Sequence, residues 1–322
     1  MKVLLENYYG LHLLEEIDVE GKKGFRDNEY IYFTIPASNN KAIHMEQATL
    51  AYHLAEIGYR ETALPIPNMA GEWMTTFEEK DYLVMRVQRF QARNTPSHGQ
   101  KLATFHQQNM KYQYEPQYVS SYGQWKQLWI DKLTYFEHYI AKEGKKQPQA
   151  FFRILNDIMP YLIGISENAI QYIRESEAET QFEASDQGTI CFHRYENNLL
   201  MPIIWPKDLV YDHKTRDLAE FIRSQLFATD QLNIIHTFLG EYESVQPLSL
   251  FSWRLLYARL LFPIQIYDFL TTCFQGDSLE DCIPGLESCI STQITYENNL
   301  RLLFHDLSIH NRLINIPRVH WL

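Results

Sequence analysis

Phe192-His193-Arg194-Tyr195-Glu196-Asn197-Asn198-Leu199-Leu200 sets polar side chains between two apolar runs. Ile190 to Phe192 reads as a strand leading into His193, a short polar turn follows, and Leu199 to Ile204 reads as a second short strand. Chains that must hold polar groups at a fixed point place them on such loops, braced by regular elements on either side. Further on, Asp212-His213-Lys214-Thr215-Arg216-Asp217-Leu218-Ala219-Glu220-Phe221-Ile222-Arg223 opens a helix. Its Asp217 has a reading from local physics alone, as a carboxylate favoured by the dipole at a helix N-terminus.

Outward from this loop, composition bounds the possibilities. At 322 residues the chain exceeds a typical single core, so two lobes are expected, and 45% hydrophobic with 14% aromatic residues can fill them. A net charge of −11 argues against a nucleic-acid binder, whose footprint would be basic. Lys22-Lys23 and Lys145-Lys146 are short and fall in expected turns. The N-terminus lacks the apolar core and cleavage site of a signal peptide. No run reaches the ~18 uncharged apolar residues of a membrane span; the best, Leu255 to Leu270, contains Arg259 and Asp268. A soluble chain made in the cytoplasm, with no membrane span, is expected. Cys191, Cys273, Cys282 and Cys289 form neither a disulfide framework nor a paired zinc pattern, so free thiols are expected and no metal site is read. A Cys282–Cys289 bridge is the one alternative.

Residues 1–90 read as a strand-rich lobe with one helix. Glu20-Gly21-Lys22-Lys23-Gly24-Phe25 signals a hairpin turn, and Tyr30-Ile31-Tyr32-Phe33-Thr34-Ile35 is a β-rich run ending at Pro36. A helix is expected from about Met45 to Gly58, then strands over Trp73 to Phe77 and Tyr82 to Val87. Residues 91–322 read as mainly helical. Trp125, Leu128, Trp129, Leu133, Phe136 and Ile140 share a helical period. Gly144 to Pro148 reads as a linker, Pro160 as a kink or a new first turn, and residues 249–275 as an apolar helical region broken at Pro263. The last part, Glu297 to Leu322, reads as a helix and a short tail containing Trp321.

These segments together resemble the kinase-like spore-coat family of endospore-forming bacteria, the CotS and YutH group, and most its YutH-type branch. That group is related to the aminoglycoside and choline phosphotransferases. Gly58-Tyr59, Pro65-Ile66-Pro67, Gly71-Glu72, Tyr82-Leu83-Val84-Met85, Leu102-Ala103-Thr104-Phe105-His106, Gly123-Gln124-Trp125 and Arg216-Asp217-Leu218-Ala219 carry the likeness in order. The resemblance implies an α+β, bilobal, protein-kinase-like fold: a small β-rich N-lobe over 1–90, a hinge near 85–91, and a helical C-lobe over 91–322 carrying a catalytic loop at 190–212.

It also marks positions where the family's chemistry would sit, and there this chain departs from the pattern. The catalytic loop of the family reads His-Gly-Asp-x-x-x-x-Asn; here His193 and Asn198 close a shorter loop, with Arg194 and Tyr195 in place of Gly and Asp. Counting back from Arg216-Asp217-Leu218-Ala219 puts Trp205 at the metal-binding Asp, and Ile35 stands where a strand would supply the phosphate-binding Lys. The resemblance implies Glu46 as that lysine's former partner, with a solvent-facing helix glutamate as the other reading. It implies Asp217 as a brace for the loop through backbone amides. Glu196, Asp208 and Asp212 are the acids that could replace the lost carboxylates, or they are solvated loop groups.

Two functions follow as expectations. The first is a catalytically inactive kinase-like component of the spore coat, made in the mother cell, with other coat proteins as partners and no cofactor. The second is an active small-molecule phosphotransferase using ATP and Mg²⁺ with relocated acids, since transfer needs a base and a metal against the phosphates.

Overall fold

Between Glu15 and Pro36 the chain forms three antiparallel strands, β1 (Glu15–Val19), β2 (Lys22–Arg26) and β3 (Tyr30–Pro36), behind a first helix, α1 (Lys2–Tyr9). In this computed structural model the described residues are 1–38, 40–88, 97–146, 150–228, 231–276, 278–310 and 316. They divide into two units, 1–120 with 189–212, and 121–188 with 213–322.

The first unit is built on a six-stranded sheet. Helix α2 (Lys41–Glu56) is followed by β4 (Leu64–Ile66), β5 (Thr75–Phe77), β6 (Lys80–Gln88) and helix α3 (His98–Asn109). The sheet runs β1-β2-β3-β6-β4, with β5 also on β6. Register sets its two faces. Ile31, Phe33 and Ile35 pair with Val87, Met85 and Leu83, and put one apolar row on one side. Tyr32 and Val84 point the other way and pack on Leu4, Leu5 and Tyr9 of α1. This is the period-two alternation of a strand buried on both faces.

Two of the sheet's hairpin turns use left-handed backbone. Glu20 and Gly21 join β1 to β2 at φ 54° and 74°, while Glu78 and Glu79 join β5 to β6 at φ 50° and 63°. Glycine is at home there; the three glutamates are not, and each costs roughly 1 kcal/mol or more. Lys22 and Lys23 lie in β2 rather than in a turn.

Helix α2 begins four residues before the expected Met45, because the Asn40 side chain accepts from the Ile43 amide and caps it. The strand expected over Leu199–Ile204 does not form. Asn197 turns left-handed at φ 63°, Asn198–Leu200 makes a single 3-10 turn, and Pro202 has no N–H to pair. Only Ile204 bridges, to Thr62. The partner of β7 (Thr189–Phe192) is instead β8 (Leu209–Asp212), antiparallel, with Ile190 opposite Tyr211. Of the expected hinge, residues 85–88 lie in β6, and 89–91 fall outside the described residues.

The second unit is helical: α4 (Trp125–Lys146), α5 (Ala150–Glu179), α6 (Thr215–Leu226), α7 (Leu232–Glu243), α8 (Leu250–Leu261), α9 (Ile264–Gln275) and α10 (Ile283–His310). Trp125, Trp129, Leu133, Phe136 and Ile140 are buried along α4; Leu128, expected with them, is 43% exposed. Gly144 to Lys146 continue α4 rather than forming a linker, and α5 runs unbroken through Pro160. Burial of Leu155, Met159, Leu162 and Ile165 on either side of Pro160 outweighs the ~3 kcal/mol that an interior proline costs. Helix α10 starts well before Glu297, and Trp321 lies outside the described residues. None of the helices searched among the described residues is long and apolar enough to cross a membrane. The four cysteines are unbridged.

Candidate functional site

Strands β7 and β8 place the loop that the sequence singles out. His193 leaves β7 with its amide donating to the Asp208 carbonyl at 2.7 Å, which ties the start of the loop to the entry of β8. Within the loop the Asn198 Oδ1 accepts from the Glu196 amide at 2.8 Å, so this side chain serves the turn itself. Tyr195 points inward, 2% exposed, with its hydroxyl 2.7 Å from His98 Nε2 at the start of α3. The Lys101 ammonium, one turn along, donates to the Leu199 carbonyl. His193 and Glu196 are exposed.

The next stretch is anchored in the sheet. Trp205 is 6% exposed and joins Ile31, Phe33, Ala63, Leu83, Met85, Val87 and Ile203 in one apolar cluster. Its ring meets Phe33 edge-on at 5.2 Å, and the Lys22 ammonium lies 5.4 Å over it. The indole Nε1–H has no acceptor among the described residues. Ile35 extends the same apolar face. Gly24, in the hairpin where a phosphate-covering loop would lie, has a different use: a Cβ there would meet Phe33 at 2.6 Å and the Tyr32 carbonyl at 3.0 Å.

The acidic candidates separate. Glu46 is neither a free helix glutamate nor poised for a lysine. Its Oε1 accepts from the Gln117 amide at 2.8 Å, and its Oε2 from those of Tyr118 and Val119 at 2.7 and 2.9 Å. Asp208 closes a 3-10 turn over Pro206–Asp208 and is half-buried. Burial pushes its carboxyl above the usual range against the charges of Lys207 and Lys22, and Glu196 adds a smaller push upward. Asp212, at the end of β8, is fully buried. His106 is buried in α3 with its Nε2 4.0 Å from the Cys191 thiol.

In the second unit Asp217 is fully buried in the first turn of α6. Beside that turn lies a cluster the sequence did not announce. The Asp186 Oδ1 accepts from the Ser249 and Ser252 hydroxyls, each at 2.6 Å, with His213 Nε2 at 3.4 Å. The Thr215 amide donates to His213 Nδ1 at 3.2 Å. All of these side chains are buried, and their hydrogen bonds make a polar clasp.

Set against a nucleoside triphosphate and its divalent ion, the residues at the marked positions do not fit. A bound phosphate needs cationic or N–H donors and the ion needs oxygen ligands. Ile35 offers an alkyl group, Trp205 a buried indole, and Tyr195 a phenol already engaged with His98.

The architecture is that of the aminoglycoside phosphotransferases, an α+β, protein-kinase-like fold with a small antiparallel sheet unit and a mainly helical unit. An aminoglycoside phosphotransferase from Alicyclobacillus acidocaldarius superposes with a TM-score of 0.61 at 13% identity, over 94% of each chain. A microcompartment-associated aminopropanol kinase does so with a TM-score of 0.55 at 10% identity, over 98% of this chain and 99% of that one. At such identities the likeness establishes the fold alone. The family described as "Spore coat putative kinase YutH" matches residues 2–303, and the chain belongs to it. The endospore coat-associated protein YutH of Bacillus subtilis is 29% identical over 332 aligned positions, covering 100% of this chain and 98% of that protein.

Proposed function

We propose that this chain is a catalytically inactive, kinase-like component of the endospore coat that serves coat structure or assembly. It is made in the mother-cell cytoplasm and carried into the coat, where other coat proteins are its partners. The burial of Trp205 carries the reading. A position that must hold a cation against phosphate has to present oxygen to a wet site; here it presents an indole to the apolar face of the sheet. Ile35 and the engaged Tyr195 agree with it, while the sheet, the loop tethers and Asp217 persist. Selection for shape without chemistry leaves that pattern. The coat assignment rests on the family and on the B. subtilis relative, which is a coat-associated protein. A lobe boundary near residue 90 with a hinge over 85–91, and Asp217 as a brace, belong to the same reading.

Thermal unfolding with millimolar ATP, with and without Mg²⁺, tests it. A ligand at 100 times its dissociation constant stabilises by about 2.7 kcal/mol; no shift is expected. Imaging the tagged chain in sporulating cells tests the location, with a ring of signal around the forespore expected.

One observation favours a second reading, an ATP-dependent phosphotransferase for a hydroxyl or amine acceptor. Burial raises the Asp208 carboxyl against the charges of Lys207 and Lys22, and the Glu196 charge adds to that rise, so two acids of this stretch are coupled electrostatically. A Mg²⁺-dependent stabilisation by ATP that Asp208→Ala abolishes would establish this reading.

A further inference from the structure

We propose that a cavity in the first unit, between α2, the sheet and Pro206–Lys207, is a binding site for an uncharged aromatic small molecule. The cavity measures about 420 Å³, within the range of sites that hold small organic ligands and far above the voids a packed core tolerates. Its floor is apolar: Ile35, Leu83 and Met85 from the sheet face, Met45 and Ala48 from α2, and Pro206. Met74 and Trp73 form a further wall. Met45 and Trp73 are 51% and 36% exposed, unusually so for such side chains facing a concavity.

The chemistry of the wall selects the ligand. Thioethers and an indole are polarisable and favour aromatic rings at their edges and faces; Met45, Met74, Met85 and Trp73 supply both. The polar side chains of the wall are taken up by each other or by nearby backbone. His44 Nε2 lies 2.9 Å from the Ser38 hydroxyl, Gln47 donates to the Lys207 carbonyl at 3.2 Å, and Thr76 donates to Asp81 at 2.6 Å. The charges in the lining cancel, Lys41 and Lys207 against Glu72 and Asp81. An anion gains nothing net there, and a ligand rich in hydrogen-bonding groups would lose its water without repayment. Ile35, standing where the family would reach a phosphate, lines this cavity, so a corner that held polar chemistry has become a lipophilic pocket. The inference stands apart from the question of catalysis, because neither turnover nor its absence decides whether the cavity fills.

The test is titration of the full chain, labelled with ¹³C at the methionine methyls, with the uncharged fluorophore N-phenylnaphthylamine. A saturable, equimolar fluorescence gain is expected, with Met45, Met74 and Met85 signals shifting and Met159 unmoved. Ala48→Trp, which fills the cavity from α2, should weaken binding at least about tenfold with an unchanged unfolding midpoint. Should that variant fail to fold, the methyl map of the natural chain decides alone. A non-saturating signal, shifts spread over all methionines, or full affinity in a folded Ala48→Trp variant overturns the proposal. Displacement of the probe by Mg²⁺-ATP but not by neutral indole would overturn the ligand class.

Discussion

Trp205→Asp restores the side chain that the family pattern asks for, and the structure makes it costly. Trp205 lies in a cluster with Phe33, Met85 and Ile203, only 6% exposed. Truncating a buried Trp costs about 3–5 kcal/mol, and the carboxyl left in that wall takes up a proton and costs about 1–3 kcal/mol more as a poorly paired polar group. Removing the indole N–H, which has no acceptor among the described residues, returns roughly 1 kcal/mol. The net loss is about 3–7 kcal/mol, a large share of the 5–15 kcal/mol typical of a folded domain. Urea unfolding followed by far-ultraviolet circular dichroism reads it as a fall in midpoint at unchanged slope. Were position 205 a wet metal site, the variant would be nearly neutral, and millimolar Mg²⁺ would raise its midpoint. A loss under about 1 kcal/mol, or rescue by Mg²⁺, refutes the reasoning.

Gly24→Ala should cost about 1–3 kcal/mol, because its Cβ would fall 2.6 Å from the Phe33 ring; combining it with Phe33→Leu should recover part of that loss in the same urea assay. Glu46→Ala strands the amides of Gln117, Tyr118 and Val119. It is expected to cost about 0.5–1.5 kcal/mol, seen by hydrogen exchange as faster exchange at those amides. His213 is kept neutral by burial, with Lys214 and Arg259 pushing the same way and Asp186 opposing; its pKa falls from 6.5 to about 4. The unfolded chain therefore binds a proton that the folded chain refuses between those values. Stability present above pH 6.5 is lost as pH falls toward 4, by at most about 3 kcal/mol. Urea midpoints measured from pH 7.5 to 4 check this, and His213→Phe should flatten the curve. Asp186 does not supply that slope. Burial would raise its carboxyl, but hydrogen bonds from His213, Ser249 and Ser252 outweigh this and hold it below the usual range.

Strand β3 was legible from the aromatic and β-branched composition of Tyr30–Ile35, and the aromatic row of α4 from its helical spacing between Trp125 and Ile140. Other features were misread or unseen. Leu199–Ile204 has a strand's composition, but the left-handed Asn197 and Pro202 deny it a ladder, and β8 forms from a less apolar stretch. Pro160 could be read as a kink or as a new first turn; the helix continues through it, and a local rule cannot weigh the apolar face that α5 buries on both sides. At the site, the losses at Ile35, Tyr195 and Trp205 could be counted from motif spacing, whereas the fate of Trp205 as core needed the sheet. The role of Glu46 was hidden because its partners lie some 70 residues downstream. The Asp186–His213–Ser252 clasp joins three distant segments and leaves no local signal.

Calorimetric titration of the purified full chain with Mg²⁺-ATP goes most directly to the central claim, that the nucleotide corner has lost the groups that hold a triphosphate and its divalent ion. No heat of binding up to millimolar nucleotide is predicted. Equimolar binding that vanishes when Mg²⁺ is removed would contradict it.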